Sequence, residues 1–200
     1  MTKLILSSLI TLVSLSAFAG KSIPAGSYSV DGAHSTIGFE IPHMVISTVE
    51  GRFTKFDGTI TVDQKLEKSS ANLNVDVGTI DTSNKDRDDH LKSPDFFDVS
   101  KNPKMTFVTK KVSGTPEKLK LVGDLTLKGK TKEVTLDVKY LGDVVDLYGN
   151  HKVAFSATGK INRKDFGLTW GKMIEAGPAI GDEVTLILKI QANKPLDKKG

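Results

Sequence analysis

The sequence predicts an all-β protein, a single eight-stranded antiparallel barrel with a short helical cap segment. Apolar and polar residues alternate along most of the chain, which is typical of strands that bury one face. The connections between these segments are short and rich in turn residues, as in hairpins between antiparallel neighbours. Outside the cap the pattern shows no helical period that would cover a sheet, so closure into a barrel is the most economical way to remove exposed edges. A two-sheet sandwich is the alternative architecture.

Eight segments carry the alternation, and each is expected to direct one parity of side chains to the interior. Their apolar positions, in chain order, are Ile37, Phe39 and Ile41; Phe56, Ile60 and Val62; Leu73, Val75 and Val77; Met105 and Phe107; Leu119, Leu121, Leu125 and Leu127; Val134, Leu136, Val138 and Tyr140; Val153, Phe155, Ala157 and Ile161; and Val184, Leu186, Leu188 and Ile190. Turn residues at 63–69, 114–116, 128–130 and 148–150 join neighbouring segments. The predicted strand order is therefore up-and-down.

Two stretches interrupt the strand pattern. In residues 82–98, good N-cap residues at 82–84 precede several acidic residues, and Pro94 follows. This arrangement predicts a short helix that caps the barrel. Residues 166–182 contain Trp170 among several glycines. They predict a long loop, with room for one helical turn, that folds over a barrel mouth.

The first residues of the chain, 1–19, have the three zones of a secretory signal peptide. Lys3 gives the positive start, an apolar run with interspersed Ser and Thr follows, and Ala17-Phe18-Ala19 presents small residues for cleavage. The apolar run is too short to span a bilayer, which needs roughly 20 mostly apolar residues. We expect cleavage after Ala19 and a mature domain of residues 20–200 in the periplasm, with secretion as the alternative.

The composition argues against some partners and sites. The chain has a net charge of +4, with Lys and Arg scattered among Asp and Glu. Nucleic-acid binding needs a concentrated basic face, which this scatter does not supply. The chain has no Cys, so disulfides and thiolate metal ligands are not available to it. We therefore predict no nucleic-acid partner and no cofactor.

The polar residues form no motif for catalysis or metal binding. The four histidines, which stand at no spacing diagnostic of a metal site, are His34, His43, His90 and His151. Arg87, Asp88 and His90 could form an acid–base group, but such residues in a short helix of alternating charge are more often solvated or salt-bridged. We predict no catalytic residue and no metal site.

Several ordered motifs resemble one known family. They are Asp31-Gly-Ala-His34-Ser35, Gly51-Arg52-Phe53, Arg87-Asp88-Asp89-His90-Leu91 with Phe96-Phe97-Asp98, Pro103 with Phe107, Gly123-Asp124-Leu125-Thr126-Leu127-Lys128-Gly129 with Thr131-Lys132, and Asn162-Arg163-Lys164-Asp165-Phe166-Gly167 before Trp170. Each motif alone is weak, but their order and spacing together are specific. The chain resembles the YceI-like family of polyisoprenoid-binding periplasmic proteins over essentially its whole mature length.

The resemblance implies a lipocalin-like barrel that holds an isoprenoid chain, such as a polyprenyl or a quinone tail, often in a homodimer. It implies no established catalytic residue. Our leading hypothesis is a carrier, store or sensor of the lipid that can make transient contact with a membrane. An apolar tunnel could equally hold a fatty acid or a fatty amide. The other hypotheses are an enzyme acting on such a lipid, with His90 and Arg87 or His34 as polar groups, and a stress protein whose barrel is filled by its own side chains.

One parity of several strands is expected to form the cavity wall, because successive strand residues face opposite sides. The predicted wall consists of Phe39, Ile41, Phe56, Leu73, Val75, Phe107, Leu125, Leu127, Phe155 and Leu186. Four aromatic residues outside the strands either plug the barrel ends or form a lid over the cavity: Phe96, Phe97, Phe166 and Trp170. The candidate polar contacts to a lipid head group are Arg87, His90, Asn162 and Arg163. Arg163 could instead pair with Asp165 or a buried carboxylate for structural reasons.

Four glycines lie inside predicted strands, at positions 38, 58, 123 and 159. Such glycines commonly mark bulges and bends. Alternatively, each could leave space for the methyl branches of an isoprenoid chain. The sequence leaves both interpretations open.

Overall fold

The computed structural model describes residues 22–195. The predicted signal peptide lies outside the described residues, so its cleavage remains a prediction. No helix within residues 22–195 combines the length and the apolar character needed to cross a bilayer.

Strands dominate the described part of the chain. They are β1 Gly26–Val30, β2 Thr36–His43, β3 Ser47–Phe53, β4 Phe56–Val62, β5 Ser70–Asp76, β6 Ile80–Asp81, β7 Lys104–Thr115, β8 Lys118–Leu127, β9 Lys130–Val145, β10 Asn150–Asn162, β11 Met173–Ile174, β12 Gly177–Pro178 and β13 Glu183–Pro195. One α-helix, α1, spans Lys85–Lys92, and short 3₁₀ turns occupy Leu66–Lys68, Val77–Thr79 and Arg163–Phe166. The β11–β12 pair is a small separate hairpin.

The large sheet closes into an eight-stranded antiparallel barrel. The closed order is β1-β4-β5-β7-β8-β9-β10-β13, and β13 pairs back with β1. The first half of β13 pairs with β2, because β1 and β2 are two parts of one strand interrupted at 31–35. Closure confirms the barrel and excludes the sandwich, since the ring of pairings leaves β1 and β13 without a free edge between them.

The helical cap is confirmed at residues 85–92. The Asn84 side chain accepts a hydrogen bond from the Arg87 backbone N–H at 3.0 Å, which caps the first turn of α1. Ser93 ends the helix with an extended backbone, as expected before Pro94. The loop predicted over 166–182 is more structured than expected, because it contains the β11–β12 hairpin.

The pairing registers separate the two ends of the barrel. Ile161 of β10 faces Val184 of β13, and His43 at the end of β2 bridges to Ile180. These residues mark one end, which we call the mouth. Asn150 pairs with Pro195, so the β9–β10 turn lies at the opposite end.

Candidate ligand-binding site

The barrel interior contains a cavity of about 470 Å³ that extends to the mouth. This volume is within the range of roughly 300–1,000 Å³ that is usual for small-molecule sites. Most of the lining side chains are aliphatic or aromatic, and most of the polar ones belong to α1 or to the segments at the mouth: Asp86, Arg87, His90, His43 and Arg163. The arrangement offers a long apolar chain a dry interior and gives a polar group a place at the rim.

Most of the sequence-predicted wall lines this cavity. The predicted residues that line it are Phe39, Ile41, Leu73, Val75, Phe107, Leu125, Leu127, Leu186, Phe96, Phe97 and Trp170. Alternation predicted the eight strand positions among them because the strands bury one face throughout. Phe96, Phe97 and Trp170 were predicted separately, as aromatic residues outside the strands.

Three predicted apolar residues do not line it. Phe56 begins β4 directly after a strand break and packs against the core without reaching the cavity. Phe155 lies deeper in the barrel, where its ring packs on Tyr140 at 5.5 Å between centroids. Phe166 is fully buried in the 3₁₀ turn that follows β10, so it plugs the barrel instead of covering the cavity.

The structure adds lining residues that the sequence argument did not select: Ile37, Pro42, Val49, Phe53, Leu91, Met105, Val134, Leu136, Ile161, Leu168, Ile180, Val184 and Leu188. Several lie on stripes that alternation had already identified. Val49 and Phe53 belong to β3, which the sequence argument did not recognise as a strand. The alternation that marks this strand is present, because Val49, Gly51 and Phe53 share one parity. It can be recognised only if Gly51 is counted as an inward-facing position.

At three of the four in-strand glycines, other side chains of the protein occupy the space beside the glycine. A methyl group at Gly123 would overlap the Phe107 ring, and one at Gly159 would lie 2.6 Å from Leu136 Cδ2. A methyl group at Gly58 would lie 2.5 Å from Leu73 Cδ2. Large side chains of the neighbouring strand therefore lean over these glycines, which leaves no gap there for the branches of a ligand. Among the four, Gly38 alone lines the cavity.

An aromatic cluster lies at the mouth. The His90 ring makes edge contacts with both Phe96 and Trp170, each at 5.0 Å between centroids, and the Phe96 and Trp170 rings are 5.1 Å apart. His90 Nε2 lies 3.0 Å from a carboxylate oxygen of Asp95, which fixes the orientation of the imidazole. The structure thus brings together three residues that were predicted for the mouth.

Arg87 ties α1 to Thr82, the residue that follows β6. Its Nε donates to Thr82 Oγ1 at 2.8 Å and its terminal nitrogen donates to the Thr82 carbonyl at 2.7 Å. Asp88 Oδ1 accepts from the Thr82 backbone N–H and hydroxyl at 2.9 Å and 2.6 Å. Thr82 is buried, so this network holds the guanidinium of Arg87 in place at the cavity.

Arg163 and Asn162 have structural partners. The buried Arg163 guanidinium donates to three backbone carbonyls, of Gly181, Leu168 and Trp170, at 2.6–2.8 Å, and to a carboxylate oxygen of Asp182 at 3.2 Å. The acidic partner is therefore Asp182 and not Asp165. A hydrogen bond from Lys164, with further attraction from Arg163, lowers the pKa of the Asp182 carboxyl. These bonds hold the 163–182 segment against the mouth, with Trp170 positioned beside the cavity.

Asn162 does not line the cavity. It is exposed, and its side chain accepts from the Lys164 backbone N–H at 2.9 Å. This hydrogen bond caps the 3₁₀ turn. Of the four candidate polar contacts, Arg87, His90 and Arg163 all line the cavity, but the guanidinium of Arg163 is already hydrogen-bonded to three carbonyls and to Asp182.

Three of the four histidines within residues 22–195 stand in separate pairs with carboxylates. These pairs are His34 with Asp31, His90 with Asp95, and His151 with Asp143, at 2.8–3.0 Å. Within residues 22–195 no three His, Cys, Asp or Glu side chains converge in a way that could hold a metal ion.

Comparison with known proteins gives one consistent result. Residues 28–192 match the YceI-like domain. Protein YceI from Salmonella newport is 38% identical over 184 residues, which cover 90% of this chain and 93% of that protein. The crystal structure of Burkholderia cenocepacia BcnA is similar with a TM-score of 0.72 and 27% identity, covering 82% of this chain and 99% of that one.

A more distant structure shares the fold. It is a domain from Saccharophagus degradans, described as a polyisoprenoid binding domain implicated in plant cell wall breakdown. It has a TM-score of 0.60 and 17% identity, covering 84% of this chain and 98% of that one. The family match spans nearly the whole barrel and the aromatic mouth. The chain belongs to the YceI-like family.

Proposed function

We propose that this protein binds a long isoprenoid lipid, a polyprenyl or a quinone tail, inside the barrel. The observation that carries the proposal is the shape and chemistry of the cavity, about 470 Å³ of apolar interior with its polar groups at one end. A molecule with a long hydrocarbon tail and a small polar head has the matching distribution of polarity. The Saccharophagus degradans domain, described as polyisoprenoid binding, supports the same ligand class.

The energetics favour stable retention of such a ligand. Each isoprene unit buries four or five carbons at about 0.8 kcal/mol per methylene, so several units gain on the order of 15–30 kcal/mol before costs. Association and the ordering of a flexible chain leave roughly a third to a half of that. The remainder is large enough for the lipid to survive purification.

The head group is assigned to the mouth. Arg87 offers guanidinium hydrogen bonds and His90 offers an imidazole whose other nitrogen is oriented by Asp95. Carbonyl or phosphate oxygens are the groups that these side chains recognise. A binding role as carrier, store or sensor suits this site better than catalysis, because the wall supplies contacts and the second guanidinium, that of Arg163, is committed to structural carbonyls.

The proposed function includes a cellular compartment and an oligomeric state. A lipid binder with a secretory signal at residues 1–19 acts in the periplasm, between the membranes that supply and receive its ligand. A homodimer is the assembly that the family resemblance implies. Sedimentation of the purified mature protein measures that assembly directly.

The test uses Trp170, the single tryptophan of the chain, which lies beside His90 and Phe96 at the cavity. Delipidated protein titrated with a prenyl quinone in detergent should show a saturable change in tryptophan emission. A Trp170→Phe variant is the control for signal from the ligand. Failure of the delipidated protein to bind any prenyl lipid by equilibrium dialysis would overturn the proposed function. Binding without a change in tryptophan emission would show only that Trp170 does not contact the ligand.

A further inference from the structure

Two exposed apolar turns lie side by side at the mouth. The first is the β2–β3 turn with Met44, Val45 and Ile46, and the second is β11 with Met173 and Ile174. Ile46 is 90% exposed and Met173 is 76% exposed. Together these five residues are called the apolar tip. Large apolar side chains usually project singly from a protein surface, so a group of this kind indicates an interaction surface.

Backbone hydrogen bonds join the two turns into one surface. The Met44 N–H donates to the Ala179 carbonyl and the Gly181 N–H donates to the Pro42 carbonyl, both at 2.9 Å. A methyl group at Gly177 would lie 3.2 Å from Val45 Cγ2, so the absence of a side chain there allows the turns to approach closely. The apolar tip therefore has a defined shape and is not a pair of independent loops.

The backbone of the first turn is strained. Met44 and Val45 have φ angles of 49° and 67°, in the left-handed region. That region is disfavoured for a β-branched residue such as Val. Glycine or asparagine would relieve the strain, yet the turn carries three large apolar residues that the protein does not bury. Backbone strain of this kind is concentrated at functional sites such as ligand clamps and switch regions, so the outliers at Met44 and Val45 point to a functional role for this turn.

The apolar tip continues the cavity wall to the outside. Pro42, His43 and Val49, which flank the first turn, line the cavity, and so does Ile180 after β12. No formal charge occurs at positions 44–49 or 176–180, and Lys172 and Glu175 beside β11 offset each other. A chain leaving the cavity along the β2–β3 turn would pass from an apolar wall to an apolar tip without meeting a charged residue in that turn. Such a surface suits the hydrocarbon boundary of a lipid bilayer, whose neutral interior excludes charge.

We propose that the apolar tip inserts into the surface of a lipid bilayer and that the cavity exchanges its ligand directly with the membrane through this edge. The membrane contact stands on the tip alone, whereas the exchange rests on the proposed function. Binding by this tip is driven by apolar burial, so it is largely insensitive to salt, unlike binding through a basic patch.

A second exposed apolar group provides a matched control. Val144, Val145, Leu147 and Tyr148 lie at the β9–β10 turn, at the opposite end of the barrel. This turn does not adjoin the cavity, and Asp143, Asp146 and Lys152 lie beside it. Leu147 is fully exposed, as Ile46 nearly is, so an aspartate at either position should leave the fold unchanged.

The experiment measures sedimentation with vesicles of phosphatidylethanolamine and phosphatidylglycerol. Ile46→Asp and Met173→Asp should each weaken vesicle association by about tenfold or more, because each removes a large side chain from the hydrocarbon boundary. Leu147→Asp should associate as the wild type does. Ile46→Asp and Met173→Asp should also take up a prenyl quinone more slowly from vesicles, but at the wild-type rate from detergent.

Several results of the vesicle experiment would overturn the membrane contact of the apolar tip. Equal association of the wild type, Ile46→Asp and Leu147→Asp would overturn it, and so would a wild-type dimer in solution that Ile46→Asp dissociates, since the tip would then be an interface between two copies. Loss of association in Leu147→Asp alone would place the membrane contact at the other end. Normal vesicle association without quinone uptake from either source would uphold the membrane contact while contradicting the proposed function.

Discussion

Phe107 forms part of a partition inside the barrel. Below the main cavity lies a second one of about 90 Å³, lined by Phe155 and other residues of the lower barrel. Leu73, Phe107, Leu136 and Leu188 line both cavities, so they separate them. Phe107 is buried, and it is the largest of the four. We predict that Phe107→Ala joins the cavities and lengthens the site.

The magnitude follows from the two volumes. The variant gains the lower 90 Å³ and the space of the ring, which is room for about one further isoprene unit. Five carbons at about 0.8 kcal/mol each give a gross gain near 4 kcal/mol, of which roughly a third to a half survives the costs of binding. The affinity for a longer chain should therefore rise about tenfold relative to a shorter one. The removal of a buried Phe should also destabilise the fold by about 3–5 kcal/mol.

The assay compares a series of prenyl quinones of increasing tail length, titrated against Trp170 fluorescence. Wild-type affinity should level off at the length that fills the main cavity, and the Phe107→Ala profile should level off about one unit later. Phe155→Ala is the matched control, because Phe155 lines the lower cavity and not the main one. An unchanged length profile in folded Phe107→Ala protein, verified by urea unfolding, would refute the partition.

Three further predictions concern folding and processing. Gly123→Ala should lower the free energy of unfolding by roughly 1–3 kcal/mol, because the new methyl overlaps the Phe107 ring and lies 2.6 Å from the Val108 carbonyl oxygen. Gly32→Ala, where the methyl has space, should be tolerated. Thermal unfolding measures both variants. A hydrogen bond from a neighbouring amide side chain is the largest cause that lowers the pKa of Asp31 from 3.8 to about 2. The ionised Asp31 carboxylate therefore stabilises the fold by about 2 kcal/mol above pH 4, and this contribution is lost as the pH falls towards 2. The free energy of unfolding of Asp31→Asn, measured in urea, should lack this part of the pH dependence. Mature protein in the periplasmic fraction should begin at residue 20 by N-terminal sequencing; retention of residues 1–19 would contradict this.

The strand pattern was predictable because one rule governs most of the chain. A barrel buries one face of every strand, so alternation identified most of the cavity wall and seven strands of the ring, together with β2, which continues β1. It did not identify β1 itself. It failed where the geometry departs from a regular strand. The pairing of β9 with β10 contains a bulge beside Phe155, and Phe56 follows a strand break, so parity alone could not give the depth of either residue.

The mouth required contacts that a linear sequence does not contain. Arg163 was a candidate head-group contact, with Asp165 or a buried carboxylate as the alternative partner. The structure gives it Asp182 and three carbonyls from a segment that folds back. The in-strand glycines show the same limit. Their role depends on which neighbour leans over them, and the pairing register that places Phe107 opposite Leu125 and beside Gly123 is a property of the fold.

Mass spectrometry of an organic extract of the protein purified from the periplasm tests most directly whether the barrel holds an isoprenoid lipid. We predict a prenyl lipid, stoichiometric with the protein, and its depletion in a Leu186→Gln variant, which places a polar amide on the half-buried part of the cavity wall. An extract of wild-type protein that contains a fatty acid, a fatty amide or no lipid would contradict the claim.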